Sequence, residues 1–325
     1  MAPTAVVDDA QLQARLEAAV SACADGDRQL PALLYALFAI LDRQGKTEPA
    51  WQALDRALPL RRRQVGYDPE AAAALVEYLA NQRIAAADGD AGPGPQPVFV
   101  VGLPGTGIRH LARHLAGHPA IADAGALDDM VMALRWACDR TGDRRLDLAL
   151  AQAAASIDVA GLGRVYLART QWRATGKAVF LDRNPDNYAC IPWIMQALPG
   201  ARVLHLVGGP MDTCLANLAR WSEDGHGWSH DQVDTADHYR GYRTLMAQLR
   251  ALYPDRIHDV RHDELANDRG AALREAIEFC GLPWHEGMEG VPAGQAEQAG
   301  APVLQWRRYE SHLAPLRQRL GALAY

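Results

Sequence analysis

The chain predicts an α/β fold: a central, mainly parallel sheet flanked by helices, preceded by a small helical hairpin domain. Three observations carry this. From residue 98 onward, short apolar runs alternate with helical segments, as in strands joined by crossover helices within a sheet covered on both faces. The first apolar run breaks into a glycine-rich turn and then a helix, in Pro97-Val-Phe-Val-Val-Gly-Leu-Pro-Gly-Thr-Gly-Ile-Arg-His110, the layout of a phosphate-binding loop. Before residue 87 the apolar residues recur only at helical spacing.

Residues 1–87 read as the helical domain. Leu12, Leu16, Ala19 and Val20 share one helix face, and Leu30, Leu33, Leu34, Ala36, Leu37, Ile40 and Leu41 another. Gly45 ends one helix; Thr47, as N-cap, and Pro49 start the next, which carries Trp51, Leu54, Leu58 and the basic run Arg61-Arg-Arg63. Tyr67-Asp-Pro69 opens a further helix. Two short antiparallel helices around a Gly turn look like a single tetratricopeptide-like hairpin, too small to stand alone, so it must pack on other parts of the chain.

The Gly- and Pro-rich residues 88–97 read as a linker. The α/β domain then runs over 98–325, with strands expected at 98–101, 178–181, 202–207 and 257–260. Helices are expected at 107–116, 129–137, 151–170, 187–197, 211–221, 232–251 and 270–280, and a loop at 289–300. Ligands of such sheets sit beyond the carboxyl ends of the strands. That puts the 102–109 loop, Asp182-Arg183 and the 207–210 turn on one rim.

Composition bounds the chemistry. A formal net charge of −6 argues against a broad nucleic-acid grip. The five cysteines include no CxxC pair, which points to reduced thiols in a cytoplasm rather than to disulfides or a zinc cage. The N-terminus lacks the features of a signal peptide, and no run of about 18 apolar residues predicts a membrane span. The expected partners are a small-molecule or peptide substrate, with a protein partner through the N-terminal helices as a further reading, and neither nucleic acid nor membrane.

Further motifs stand in order: His118-Pro, Asp182-Arg-Asn-Pro-Asp-Asn187, Leu198-Pro-Gly-Ala-Arg-Val-Leu-His205, Pro210-Met-Asp-Thr-Cys-Leu215, Tyr239 with Tyr242 and Leu245-Met246, Phe279-Cys-Gly-Leu-Pro-Trp284, and Trp306-Arg-Arg-Tyr-Glu-Ser-His-Leu-Ala-Pro-Leu316. With Tyr67-Asp-Pro and Phe99-Val-Val-Gly-Leu-Pro104, they make the chain from about residue 33 onward resemble bacterial sulfotransferases. These use the donor 3'-phosphoadenosine-5'-phosphosulfate, and the resemblance is to the kind with a tetratricopeptide-like N-terminal part. It implies a P-loop-like sulfotransferase fold and that donor.

The resemblance also marks departures. The family's donor loop, Pro-Arg-Ser-Gly-Thr-Thr, is here Pro104-Gly-Thr-Gly-Ile-Arg109, so Gly105 lacks the guanidinium and Ile108 a hydroxyl. The Arg-Arg-Asp that takes the 3'-phosphate is Val207, Gly208 and Gly209, its serine is Ala216, and the acidic base is Ala126. The family's C-terminal closing segment is rewritten over 289–300, and only its Lys survives in kind, as Arg183. A multiply charged phosphate without cation or hydroxyl partners faces a large desolvation cost. The expectation is therefore a sulfotransferase-fold enzyme that has lost this chemistry and acts on a small organic or peptide-borne substrate in the former cleft. An active sulfotransferase with relocated ligands (Arg109 replacing the missing arginine) and a non-catalytic partner-binding relative remain alternatives.

The candidate catalytic residues are His110, Arg109, Arg183 and Asp182. The candidate ligand-binding residues are Gly105, Thr106 and Gly107, whose amides form an anion nest, with His114, Trp221, His226, Trp228, Arg307 and Arg308. No metal is assigned. His110 and His114, four residues apart on one helix, read as an acid/base pair, as half of a metal site, or as ordinary hydrogen-bonded histidines. Asp182 and Arg183 read either as a mutual salt bridge or as ligand contacts. Arg307 and Arg308 read as anion contacts or as an ion pair with Glu310.

Overall fold

The computed structural model describes residues 8–24, 26–82, 86–87, 92–221, 226–288 and 305–324. In chain order the helices are α1 (Asp9–Ala22), α2 (Leu30–Arg43), α3 (Thr47–Val65), α4 (Pro69–Asn81), α5 (Ile108–Leu115), α6 (Asp129–Ala137), α7 (Leu148–Ala153), α8 (Val159–Thr170), α9 (Ile191–Ala197), α10 (Pro210–Leu218), α11 (Gln232–Leu252), α12 (His262–Asn267), α13 (Arg269–Phe279) and α14 (Ala314–Leu320). The strands are β1 (Gln96–Val101), β2 (Ile121–Gly125), β3 (Val179–Asp182), β4 (Arg202–Val207) and β5 (Ile257–Arg261).

The chain forms two compact units. The first unit gathers Met1–Pro69, Pro210–Arg240 and Leu304–Tyr325; the second gathers Glu70–Gly209 and Gly241–Val303. In the first, α2 packs on α3, and the chain returns twice to cover this hairpin, through the 3-10 turns Gly227–His230 and Gln305–His312. Trp51 is buried there, stacked on His312 at 5.0 Å and tilted against Tyr309 at 5.9 Å. The Tyr309 hydroxyl donates to Asp42 at 2.6 Å. The hairpin thus finds its covering surface in segments far along the chain.

The second unit holds a five-stranded sheet in the order β2-β3-β1-β4-β5, with every pairing parallel. Side chains alternate between its faces. One face sends Val98, Val100, Leu204, Leu206 and Val260 into a core with Ile108, Leu111 and Leu115 of α5 and Leu273 and Ile277 of α13. On the other, Phe99 and Phe180 pack against Tyr166 of α8. Strand β2 was absent from the sequence reading: Ala-Asp-Ala-Gly has weak strand preference. It forms because Ile121 and Ala122 are buried while β3 supplies the ladder, with Val179 and Arg183 donating to the Ala120 and Gly125 carbonyls at 3.0 and 2.9 Å.

The expected 151–170 helix is broken: α7 ends in a 3-10 turn, Ala154–Ser156, before α8 begins. The expected 187–197 helix opens as the 3-10 turn Pro185–Cys190, with Asn184 capping it through a bond from the Asp186 amide. The loop expected at 289–300 lies outside the described residues. No single helix among the described residues is long and apolar enough to cross a membrane.

Candidate functional site

Sheet order sets the place of the site. The chain leaves β1 toward β2 on one side and leaves β4 toward β5 on the other. Between β1 and β4 the connections diverge, opening the crevice where ligands of such sheets bind. The glycine-rich loop lies at this point. Gly102 passes so close to β4 that a Cβ would stand 2.8 Å from the Leu206 carbonyl oxygen. Gly107 caps α5 with φ +97° in the left-handed region, where a side chain costs about 1–2 kcal/mol.

Within the loop, the buried Thr106 hydroxyl donates to the Leu103 carbonyl at 2.8 Å. Gly105 is exposed, with φ +87°. Ile108 faces the core. The cation of this stretch is Arg109, exposed on the first turn of α5, beside half-buried His110. His114, one turn on, is buried, so the two imidazoles occupy different environments. Among the described residues no three His, Cys, Asp or Glu side chains converge as a metal site requires.

His262, just past β5, also reaches the loop, and the sequence reading passed over it. Its imidazole edge lies 3.4 Å from where a Gly107 Cβ would stand. It enters only because β5 pairs with β4.

Asp182 and Arg183 do not pair with one another, contrary to one of the two sequence readings. Asp182, at the end of β3, is fully buried. One of its oxygens accepts from the Leu127 and Asn184 amides, each at 3.1 Å, and the other from the Tyr166 hydroxyl at 2.9 Å. Burial outweighs these bonds and pushes its pKa up to about 7. It ties the end of β3 to the turn carrying Ala126. Asn184 doubles the tie, donating to the Leu127 carbonyl at 2.9 Å and to Asp128 at 3.1 Å. Arg183 points the other way, onto Asp123 at 3.0 and 3.1 Å. Asp182 is enclosed as a rim-fixing group, whereas Arg183 stays partly exposed.

Beneath β4 lies a buried hydrogen-bonded chain. His205 meets Asp259 at 2.8 Å through Nδ1 and the Tyr242 hydroxyl at 2.6 Å through Nε2, and Arg250 donates to Asp259 at 2.6 Å. Burial alone would push the Asp259 carboxyl up, but His205 and the nearby arginines together hold it below its usual value.

The remaining candidates belong to the first unit. Trp221 meets Tyr35 edge-on at 5.6 Å and lies under the Arg61 guanidinium at 4.4 Å. His226 packs against Trp228 at 5.5 Å, and Trp228 stacks on His238 at 4.0 Å. His230, sealed in the same cluster, bonds the Tyr35 hydroxyl at 2.9 Å, and burial with the Arg61 charge lowers its pKa to about 4. Arg308 pairs with Asp42 at 3.0 Å rather than with Glu310, which takes Arg317 at 3.1 Å. Arg307 lies over its neighbour Trp306 at 5.5 Å. Trp51 and Arg61 are buried inside this unit, whereas Arg63 is exposed.

The family model described as "Sulfotransferase family" matches residues 97–286. An uncharacterized protein of Aquifex aeolicus (strain VF5) is 22% identical over 307 residues, covering 87% of this chain and 40% of the relative, so the chain spans two fifths of that protein's length. Among solved structures, the sulfotransferase domain from the curacin biosynthetic pathway is 16% identical with a TM-score of 0.43, over 66% of this chain and 84% of that one. A sulfotransferase from Alicyclobacillus acidocaldarius is 18% identical with a TM-score of 0.38, over 70% of this chain and 94% of that one.

Proposed function

The chain belongs to the sulfotransferase family, and from that premise we propose that its cleft has given up transfer from 3'-phosphoadenosine-5'-phosphosulfate and now acts on a small organic or peptide-borne substrate. One observation carries the reading. The glycine-rich loop joins β1 to α5, as a donor loop would, while its side chains do not suit a phosphosulfate. Gly105 supplies no cation and occupies a left-handed conformation, Thr106 spends its proton on Leu103, and Ile108 is committed to the core. At the end of β4 and just past it, Val207, Gly208 and Gly209 add neither charge nor hydroxyl. Backbone amides alone bind such an anion far more weakly than charge-assisted side-chain contacts do. No step is therefore derived through that donor.

The groups left at the crevice are His110, Arg109 and His262, with Arg183 on Asp123 at the neighbouring rim. A half-buried imidazole beside an exposed guanidinium suits proton transfer to or from an anionic or polar substrate. Arg109 also supports the second reading, in which it replaces the absent loop arginine and donor transfer persists.

Titration calorimetry with adenosine 3',5'-bisphosphate separates the two. The proposal expects no binding in the micromolar range. Micromolar binding that Arg109→Gln abolishes would overturn it in favour of an active sulfotransferase.

A further inference from the structure

We propose that the second unit carries, at the end of its sheet opposite the crevice, a docking surface for an anionic lipid layer, built on Trp136, Val165, Arg169, Trp172 and Arg173. This is independent of what the cleft binds.

Large apolar side chains on a folded surface are unremarkable singly and informative when contiguous. Trp136, Val165 and Trp172 are 49%, 40% and 66% exposed. The Trp172 indole N–H donates to the Arg169 carbonyl at 2.8 Å. The Arg169 guanidinium lies 4.5 Å over the Trp136 ring and donates to Asp129 at 2.8 Å. That of Arg173 lies 4.5 Å over the Trp172 ring. The two tryptophans are thus joined by one arginine and flanked by a second.

Topology gives the location. Helix α6 starts at the rim after β2 and runs away from it, so Trp136 in its last turn lies toward the amino ends of the strands. The 3-10 turn Gln171–Ala174, which holds Trp172 and Arg173, leads into the amino end of β3.

Charge and hydropathy indicate what covers the surface. Residues 128–177, with the aspartates that pair with their arginines included, hold eight Lys and Arg against six Asp and no Glu, a net positive stretch in a chain of net charge −6. Exposed tryptophans flanked by arginines suit lying on a lipid layer. Indole rings settle at headgroup level, and arginine stems lie along apolar surface while their guanidinium groups reach phosphate. Each basic group near an anionic layer contributes about 1 kcal/mol.

The test uses the full chain with vesicles of phosphatidylcholine alone or mixed with phosphatidylglycerol, at low and high salt. The proposal expects co-sedimentation with the anionic vesicles only, a blue shift of tryptophan emission, and loss of both at high salt. Arg169→Gln with Arg173→Gln should weaken partitioning about thirtyfold. Trp136→Ser with Trp172→Ser should remove the emission shift. A matching circular dichroism spectrum shows each variant folded; where one fails, Val165→Glu on the exposed face replaces it and should also weaken partitioning. Failure to sediment with anionic vesicles at low salt overturns the proposal, as does binding unchanged in the tryptophan variant. Binding of polyglutamate with vesicles ignored would reassign the surface to an acidic polypeptide and also overturn it.

Discussion

Replacing Asp182 by Asn should change how the stability of this protein depends on pH. In the folded state burial raises the carboxyl pKa from 3.8 to about 7. Between those values the folded chain holds a proton that the unfolded chain has released. The contribution of Asp182 is therefore fully present below pH 3.8 and is lost as pH rises through about 7. Three pKa units at 1.36 kcal/mol each make the loss about 4 kcal/mol. Asparagine keeps much of the geometry. Its amide oxygen still accepts from the Leu127 and Asn184 amides, and its NH2 group donates to a Tyr166 hydroxyl turned to accept. Wild type and Asp182→Asn are to be unfolded in guanidinium chloride from pH 4 to 8.5 and their difference plotted against pH. His230 titrates over part of the same range with the opposite sign, so the difference, in which it cancels, is the quantity to read. The variant should gain about 4 kcal/mol on wild type across that range, with most of the gain below pH 7. A difference that does not move with pH would refute the reasoning.

His230 supplies the mirror case. Its pKa is lowered from 6.5 to about 4, so its contribution is present above pH 6.5 and lost as pH falls through about 4; His230→Gln should flatten the acid limb of the unfolding curve. Gly105→Arg puts a guanidinium into the loop on a backbone at φ +87°; it should lower stability by about 1–2 kcal/mol without producing calorimetric binding of adenosine 3',5'-bisphosphate. Tyr309→Phe removes the buried donor to Asp42 at 2.6 Å and should cost about 1.5–3 kcal/mol in denaturant unfolding.

The sequence announced β1 and β4 because both are apolar runs bounded by Gly and Pro, and it located the loop between β1 and α5. It could not announce β2, whose residues adopt a strand only because β3 offers a ladder. The pairings at the site were harder still to read. Asp182 and Arg183 are neighbours in sequence, yet consecutive side chains leaving a strand point to opposite faces, so each found its partner elsewhere, in Tyr166 and Asp123. His262 and the Tyr242–His205–Asp259 chain depend on the order and register of β4 and β5, which periodicity does not encode. The family resemblance pointed to the positions around the glycine-rich loop but carried no information about the partners their side chains find.

The order of strands also governs how this chain can be made. β1 has no neighbour among the next residues to leave the ribosome; its two flanking strands emerge only about 80 and 100 residues later. Until then Val98-Phe-Val-Val is an adhesive edge with nothing to close on. Synthesis should therefore pass through a chaperone-dependent interval that ends once β4 has cleared the exit tunnel, and nascent chains halted before that point should aggregate.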